Sequence, residues 1–333
     1  MEIDSKSVGL IQFVPDESEH VHAPDPDELW QESLVLYFWD ADRQCYAFLR
    51  IAQTPNYKGG TAQIMLNIWT PAGFYKHTDD LYPFDGSGRK EKSLTIGKEL
   101  VSYTYDGNFH WKIDDPTYDV KANLTFTGYH KGINPLPQND GIAKNAIPNH
   151  TQAYGGVKGE VSIKGRKFAI DGYGWRDHSW GRRDWLSIRC HRFFPAIFSK
   201  DIYLTNISFV GSDGQLVKSA VLARDGKMYF TDDISFVAFM GEDAVSNCGG
   251  RCTFSAGGEK YVFEYSPIAK SSVIMVHGLA MTEGMCHVRW GDRKGLGLTE
   301  TTTNPHWGTA RPFVFPSSPG VIDNGVHTDV VPK

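Results

Sequence analysis

The chain has 333 residues, 41% hydrophobic and 22% charged, with a formal net charge of -5. That length suggests about two domains at roughly 150 residues each, or one large β domain, and either is long enough to bury a real core. An acidic balance with no basic stripe argues against nucleic acid as a partner, and no run approaches the roughly 18 apolar residues of a membrane-spanning helix.

The amino-terminal 28 residues read as irregular, with Pro15, Pro24 and Pro26 among clustered acidic residues. Met1-Glu2-Ile3-Asp4-Ser5 lacks the basic start and apolar run of a signal peptide. The cysteines, Cys45, Cys190, Cys248, Cys252 and Cys286, are odd in number in a long chain, a pattern unlike a disulfide framework. A reducing cytoplasm is the expected location. Cys248 and Cys252 have the spacing of half a zinc site, but no second pair matches it. His20-Val21-His22 has the spacing of a cupin-like ligand pair but falls in the Pro-rich start. No Gly-rich loop leads from a strand into a helix. The expectation is therefore no metal and no cofactor.

From Ser33 the pattern becomes short apolar or alternating runs broken by Gly, Asn and Asp. Ser33–Trp39 reads as a strand, Asp40–Gln44 as its turn and Cys45–Ile51 as the return of a hairpin. Ala62–Trp69 and Leu100–Tyr105 follow. In Tyr118–Thr127, Val120, Ala122, Leu124 and Phe126 alternate with polar residues, the period of a half-buried strand. Gly132–Asn149 reads as a long connection. Further on, Ile202–Val210 and Leu216–Ala223 form a second hairpin around Ser212–Gln215. Lys260–Tyr265, Ser272–Leu279 and Met285–Trp290 complete the set, and the tail after Pro312 reads as irregular. No segment sustains a helical period. The two similar halves suggest an internal duplication, with a boundary near residues 170–190.

Between them, Val157–Trp185 reads as strand, glycine turn (Lys164-Gly165-Arg166) and strand. Its last fourteen residues, Gly172 to Trp185, hold three Trp, three Arg, two Asp and one His. In an extended run Trp175, Asp177 and Ser179 share one face, and Arg176, His178 and Trp180 share the other. Asp177 and His178 enter one cavity only if a bulge turns the chain. Gly172, Gly174 and Gly181 allow such a bend or a close backbone approach. The ordinary alternative is structural, with arginine–aspartate pairs bracing a domain junction.

The Arg176-Asp177-His178-Ser179-Trp180-Gly181 run resembles the Asp-His-Asn-Trp-Gly signature of the carotenoid hydratase-like superfamily, which includes lipocalin-like Diels–Alderases and kievitone hydratase-type enzymes. Gly295-Leu296-Gly297-Leu298-Thr299-Glu300 resembles that group's closing Gly-x-Gly-Tyr-x-Glu run, and Glu32-Ser33 leading into a hairpin also fits. Ser179 replaces the usual Asn, and Trp175 stands where carotenoid hydratases carry Tyr, a variant resembling an uncharacterised bacterial branch. The resemblance implies an all-β fold of two consecutive lipocalin-like antiparallel barrels or sandwiches, residues 1–180 and 181–333, with a ligand cavity at their junction. It also implies Asp177 as the proton donor.

A carboxylic acid in an apolar, aromatic cavity suits addition of water to an alkene. Burial holds its proton on at neutral pH, and aromatic faces stabilise the cation. Asp177, flanked by Trp175 and Trp180, matches that recipe, with His178 or Tyr154 to position or deprotonate the water. Arg176 and Glu300 complete the candidate site, Glu300 as a second polar group or an ion-pair partner of Arg176, Arg182 or Arg183. The expected activity is that of a lyase or isomerase (hydratase, dehydratase or cyclase) acting on a small hydrophobic terpenoid or aromatic molecule. A pericyclase working by orientation alone or a non-catalytic hydrophobic-ligand carrier is the alternative, and a homo-oligomer stays open.

Overall fold

The computed structural model describes residues 1–136, 148–243, 245–276, 279–304 and 320–330. Among these there is no α-helix, only short 3-10 turns, and strands form two large curled sheets. The chain is all-β, as the period-2 runs require.

The first sheet runs mostly as an up-and-down meander of antiparallel strands. Its main departure from sequence order sets Arg166–Arg182 beside Trp30–Asp40. In the second sheet Ile188–Phe193 lies between Ile202–Gly211 and Arg293–Thr303. The chain passes from one sheet to the other between Arg182 and Ile188. The two ends cross back: Glu2–Ile3 pairs with Lys227 and Met228 in the second sheet, and Gly325–His327 pairs with Phe74–Lys76 in the first. Dividing the chain at residue 180 therefore leaves two short strands on the opposite side, each covering backbone that would otherwise be open. No helix among the described residues is long and apolar enough to cross a membrane.

Trp30–Asp40 is buried at every position. Leu34, Leu36 and Phe38 enter the core enclosed by the first sheet, while Val35, Tyr37 and Trp39 enter a second cluster with Phe193, Ile197, Met281 and Leu298 from the second sheet. A strand covered on both faces loses its polar alternation, which is why Ser33–Trp39 reads as an unbroken apolar run. Specific bonds close the junction. Trp39 Nε1 donates to the Gly297 carbonyl at 3.1 Å and Tyr154 Oη to the Leu204 carbonyl at 2.6 Å. The close approaches are why glycine is needed: a Cβ on Gly297 would collide with the Pro195 carbonyl oxygen, and one on Gly172 with that of Trp39.

The hairpin at Lys164-Gly165 turns through two positive φ angles, 49° and 74°, as a tight two-residue loop demands. All five cysteines are free; Cys252 is buried and Cys248 exposed. Gly249, at φ +97°, lies between them where the strand pairing shifts register, and the two thiols end on different sides.

Candidate functional site at the sheet junction

Arg166–Arg182 pairs with Asn149–Ile163 and with Trp30–Asp40 without any register shift. No bulge interrupts it near the motif, so its side chains alternate strictly. Trp175 and Asp177 line a cavity of about 90 Å³ between the two sheets. Its apolar wall includes Tyr37, Phe48, Trp175, Trp185, Phe193 and Phe209, and Glu300 reaches it from the second sheet. His178 is on the opposite face, because no bulge turns it inward.

Two carboxylate–histidine groups face the cavity. In the first, His150 Nε2 contacts Asp177 Oδ2, and Gln152 Nε2 donates to the same oxygen at 3.1 Å. Gln152 Oε1 in turn accepts from Thr205 Oγ1 at 2.9 Å, linking the group to the second sheet. Burial pushes the Asp177 carboxyl up, but His150, Gln152 and Arg183 outweigh it and hold the group below the usual carboxylate range. Asp177 is therefore the ionised carboxylate. The sequence reading, which made it the protonated acid, considered burial and aromatic neighbours but not a histidine on the adjoining strand.

In the second group Glu283 and Glu300 stand directly opposite each other on Leu279–Trp290 and Arg293–Thr303. Tyr37 Oη donates to Glu300 Oε2 at 3.0 Å and lies 3.4 Å from Glu283 Oε1. His191 Nδ1 is 2.9 Å from Glu300 Oε1, so Glu300 pairs with a histidine and not with Arg176, Arg182 or Arg183. Two facing carboxylates cannot both ionise cheaply. Burial, and then the Glu300 charge, push the Glu283 carboxyl well up. Burial also raises Glu300, but His191 and hydrogen bonds from Glu283 and Tyr37 hold it low. Glu283 thus carries the proton and donates it in a hydrogen bond to Glu300.

The other motif residues brace the far face. Arg176 Nη2 donates to Glu19 Oε1 at 2.6 Å, and its guanidinium lies 4.5 Å from the Phe109 ring centroid. His178 Nε2 and His22 Nδ1 meet Glu32 Oε1 at 2.9 and 2.8 Å, Gln53 donates to Glu32 Oε2 at 2.6 Å, and Trp180 stacks on His22 at 4.0 Å. Burial raises the Glu32 carboxyl, yet the bonds from His178 and His22 bring it down to about 2. Among the described residues, His22, Glu32 and His178 are the group whose ligand atoms lie within 4.8 Å of one another, close enough to hold a metal ion. In the present arrangement both Glu32 oxygens are taken up by hydrogen bonds. His20 is not part of this group: its Nδ1 faces Glu91 at 3.3 Å. Tyr154 lies away from the cavity, stacked on Tyr203.

His150, Gln152, His191 and Glu283 escaped the sequence reading. The alternation Met281, Glu283, Met285 carried a signal, since it aims one carboxyl into an apolar face. His150 and Gln152 lie just beyond residues 132–149, whose composition reads as a connection.

The model of a family described as a domain of unknown function, DUF7064, matches residues 15–305. No curated protein is similar in sequence. Among solved structures, an AttH-type protein of Nitrosomonas europaea aligns with a TM-score of 0.66 at 13% identity, over 88% of this chain and 98% of that one. CghA aligns at 0.59 and 13% identity, over 87% and 95%. Kievitone hydratase from Nectria haematococca aligns at 0.56 and 9% identity, over 91% and 95%. These likenesses establish a shared fold, the one that the resemblance implied.

Proposed function

The chain belongs to the DUF7064 family, and on the geometry of its junction cavity we propose that it is a lyase or isomerase of the hydratase or dehydratase type. Its substrate is a small hydrophobic molecule, terpenoid or aromatic, with a carbon–carbon double bond or a hydroxyl that leaves to form one. One observation carries the reading: a proton held on the Glu283–Glu300 pair and an ionised Asp177–His150 pair meet one aromatic-walled cavity. Environments that push titratable groups apart mark out an acid and a base. The hydration that kievitone hydratase is named for is in keeping with this chemistry, and the same fold in CghA was solved with Sch210972.

In the hydration direction Glu300, which faces the cavity, delivers the couple's proton to one alkene carbon. The π electrons form the new C–H bond, and the adjacent carbon becomes cationic against Trp175, Phe193 and Tyr37. Water bonds to that carbon and gives its proton to the Asp177–His150 pair. Dehydration is the reverse. If the cation instead loses a proton from a neighbouring carbon, the net reaction is isomerisation. His178 has no contact with the reacting atoms; it positions the strand by holding Glu32.

The test is turnover of terpenoid and aromatic alkenes in D2O. Acid catalysis places one solvent deuteron on carbon per turnover. An alkene rearranged with no carbon-bound deuterium identifies a pericyclic reaction, and saturable binding of both the alkene and its hydrated alcohol without product identifies a carrier. Either result overturns this reading.

A further inference from the structure

Arg50 and Arg183 both line the cavity and are 4% and 8% exposed. Arg50 lies on Cys45–Thr54, and Arg183 follows the end of the motif strand. A buried cation is costly unless it is paired. Among the described residues the direct partners of Arg50 are uncharged: Nε donates to Ser33 Oγ at 2.9 Å, and Nη1 donates to Gln63 Oε1 at 2.7 Å and lies 3.5 Å from Met65 Sδ. Its Nη2 is buried and has no hydrogen-bond partner among the described residues.

Arg183 is close by. Its guanidinium lies 4.4 Å from the centroid of the Trp185 ring, with that of Arg50 at 6.0 Å from the same ring. Arg183 Nη1 donates to Ser179 Oγ at 2.7 Å. Burial, and then the like charge of Arg50, bring the Arg183 guanidinium down to about 9. Burial brings Arg50 down to about 10, against the attraction of Asp80, Glu300 and Asp177. Of these carboxylates, Asp177 is bonded to His150 and Gln152, and Glu300 to His191 and Tyr37. Two guanidiniums therefore meet a cavity whose carboxylates, Asp177 and Glu300, already hold histidines of their own, and one of the two guanidiniums has an open donor.

We propose that the cavity takes a hydrophobic molecule bearing an anionic oxygen group, a carboxylate or an enolate, and that Arg50 and Arg183 bind that group while the aromatic wall takes the hydrocarbon. The inference rests on the cavity being the substrate site. A planar anion accepts the forked donors of a guanidinium and relieves the repulsion between the two. It would also fix which carbon of the substrate faces Glu300.

The probes are trans-cinnamate and trans-cinnamamide, alike in shape but different in charge, titrated against the full chain. Quenching of tryptophan fluorescence reports binding, since Trp175 and Trp185 line the cavity, and calorimetry confirms it. Cinnamate should bind at least roughly tenfold more tightly than the amide. Arg50→Gln should weaken cinnamate far more than the amide and so cut the preference, Arg183 keeping the remainder, and Arg50→Lys should keep more of it than Arg50→Gln. Arg183→Gln, read the same way, serves if Arg50→Gln fails to melt cooperatively. Equal affinity for the two probes overturns the anionic head group while leaving the cavity as a ligand site. Saturable binding of neither overturns both.

Discussion

The cavity brings together two carboxylate–histidine groups that are alike in burial and opposite in protonation. Asp177 is 9% exposed and Glu300 8%, each touching one imidazole. Asp177 adds an amide from Gln152, and the group stays ionised with no proton to give. Glu300 adds Tyr37 and a second carboxyl, Glu283, and this second group keeps a proton that burial alone would not have located. Depth in the fold sets the cost of a charge, and the partners decide which group bears it. The side with the extra carboxyl becomes the acid, and the side with the extra amide becomes the base.

The strongest way to break that comparison is to remove the shared proton. Glu283→Gln still donates a hydrogen bond to Glu300 but has nothing to release. Turnover should fall by about 10²- to 10⁴-fold, the range for loss of a general acid, with cooperative melting retained. Glu300→Gln should fall as far. The raised carboxyl of Glu283 has a signed consequence for pH. Its stabilising contribution is complete below the ordinary carboxyl pKa and is lost as pH rises through its own higher value. Activity should show an alkaline limb at that same point, absent from the residual rate of Glu283→Gln. A Glu283→Gln enzyme with wild-type turnover would place the acid elsewhere.

On the other side of the cavity the smaller loss is expected. Asp177→Asn nearly preserves shape and keeps an acceptor for His150, but it removes the base. Hydration should slow by about 10²-fold, the low end for such groups, since His150 and solvent still accept the proton from water. Carbon-bound deuterium per turnover should stay at one. If Asp177→Asn instead loses deuterium incorporation and Glu300→Gln keeps it, the two sides exchange roles.

Much of this was legible in the sequence wherever a local period was enough. The hairpin Trp30–Asp40 with Cys45–Thr54 and the opposite facing of Trp175 and Asp177 against Arg176 and His178 follow from alternation alone. The close backbone approach at Gly172 also had a local cue, as the neighbouring Trp39 carbonyl shows. The acid was not legible. Glu283 meets Glu300 by strand register, Tyr37 reaches them from the other sheet, and His191 comes from a third strand. None of these has a spacing signature, because registers between distant strands are set by packing of the whole sheet. The place of Tyr154 was not legible for the same reason: its hydroxyl is taken by the Leu204 carbonyl across the junction.

A third carboxylate–histidine group, Glu32 with His178 and His22, sharpens the comparison as a control without a cavity role. Its carboxyl lies at about 2 in the fold and near 4.3 when unfolded. A depressed value means the stabilisation is complete above the unfolded pKa and is lost as pH falls toward 2. The expected contribution is about 3 kcal/mol. Melting temperatures measured between pH 5 and pH 2 should fall more steeply for the wild type than for Glu32→Gln. Parallel curves would mean that the clasp contributes nothing to folding at neutral pH.

The smallest expected effect separates clasp from cavity within one cluster. His22 is the outer member, with a side chain 24% exposed, whereas those of His178 and Glu32 are fully buried. It meets Glu32 Oε1 twice, through Nδ1 and through its own backbone N–H, both at 2.8 Å. His22→Ala keeps the backbone bond and loses the ring bond and the stacking on Trp180. Glu32 is still held by His178 and Gln53, so no buried carboxylate is stranded. The cost should be about 1 kcal/mol, as for a single partly exposed hydrogen bond to a charged group. In a chain of this size that lowers the melting temperature by about 2 °C. Turnover and deuterium incorporation should match the wild type, because the sheet lies between His22 and the cavity. A His22→Ala enzyme that lost turnover to the extent of Glu300→Gln would show that the two faces of the motif strand act as one site, and the division of labour between them would fail.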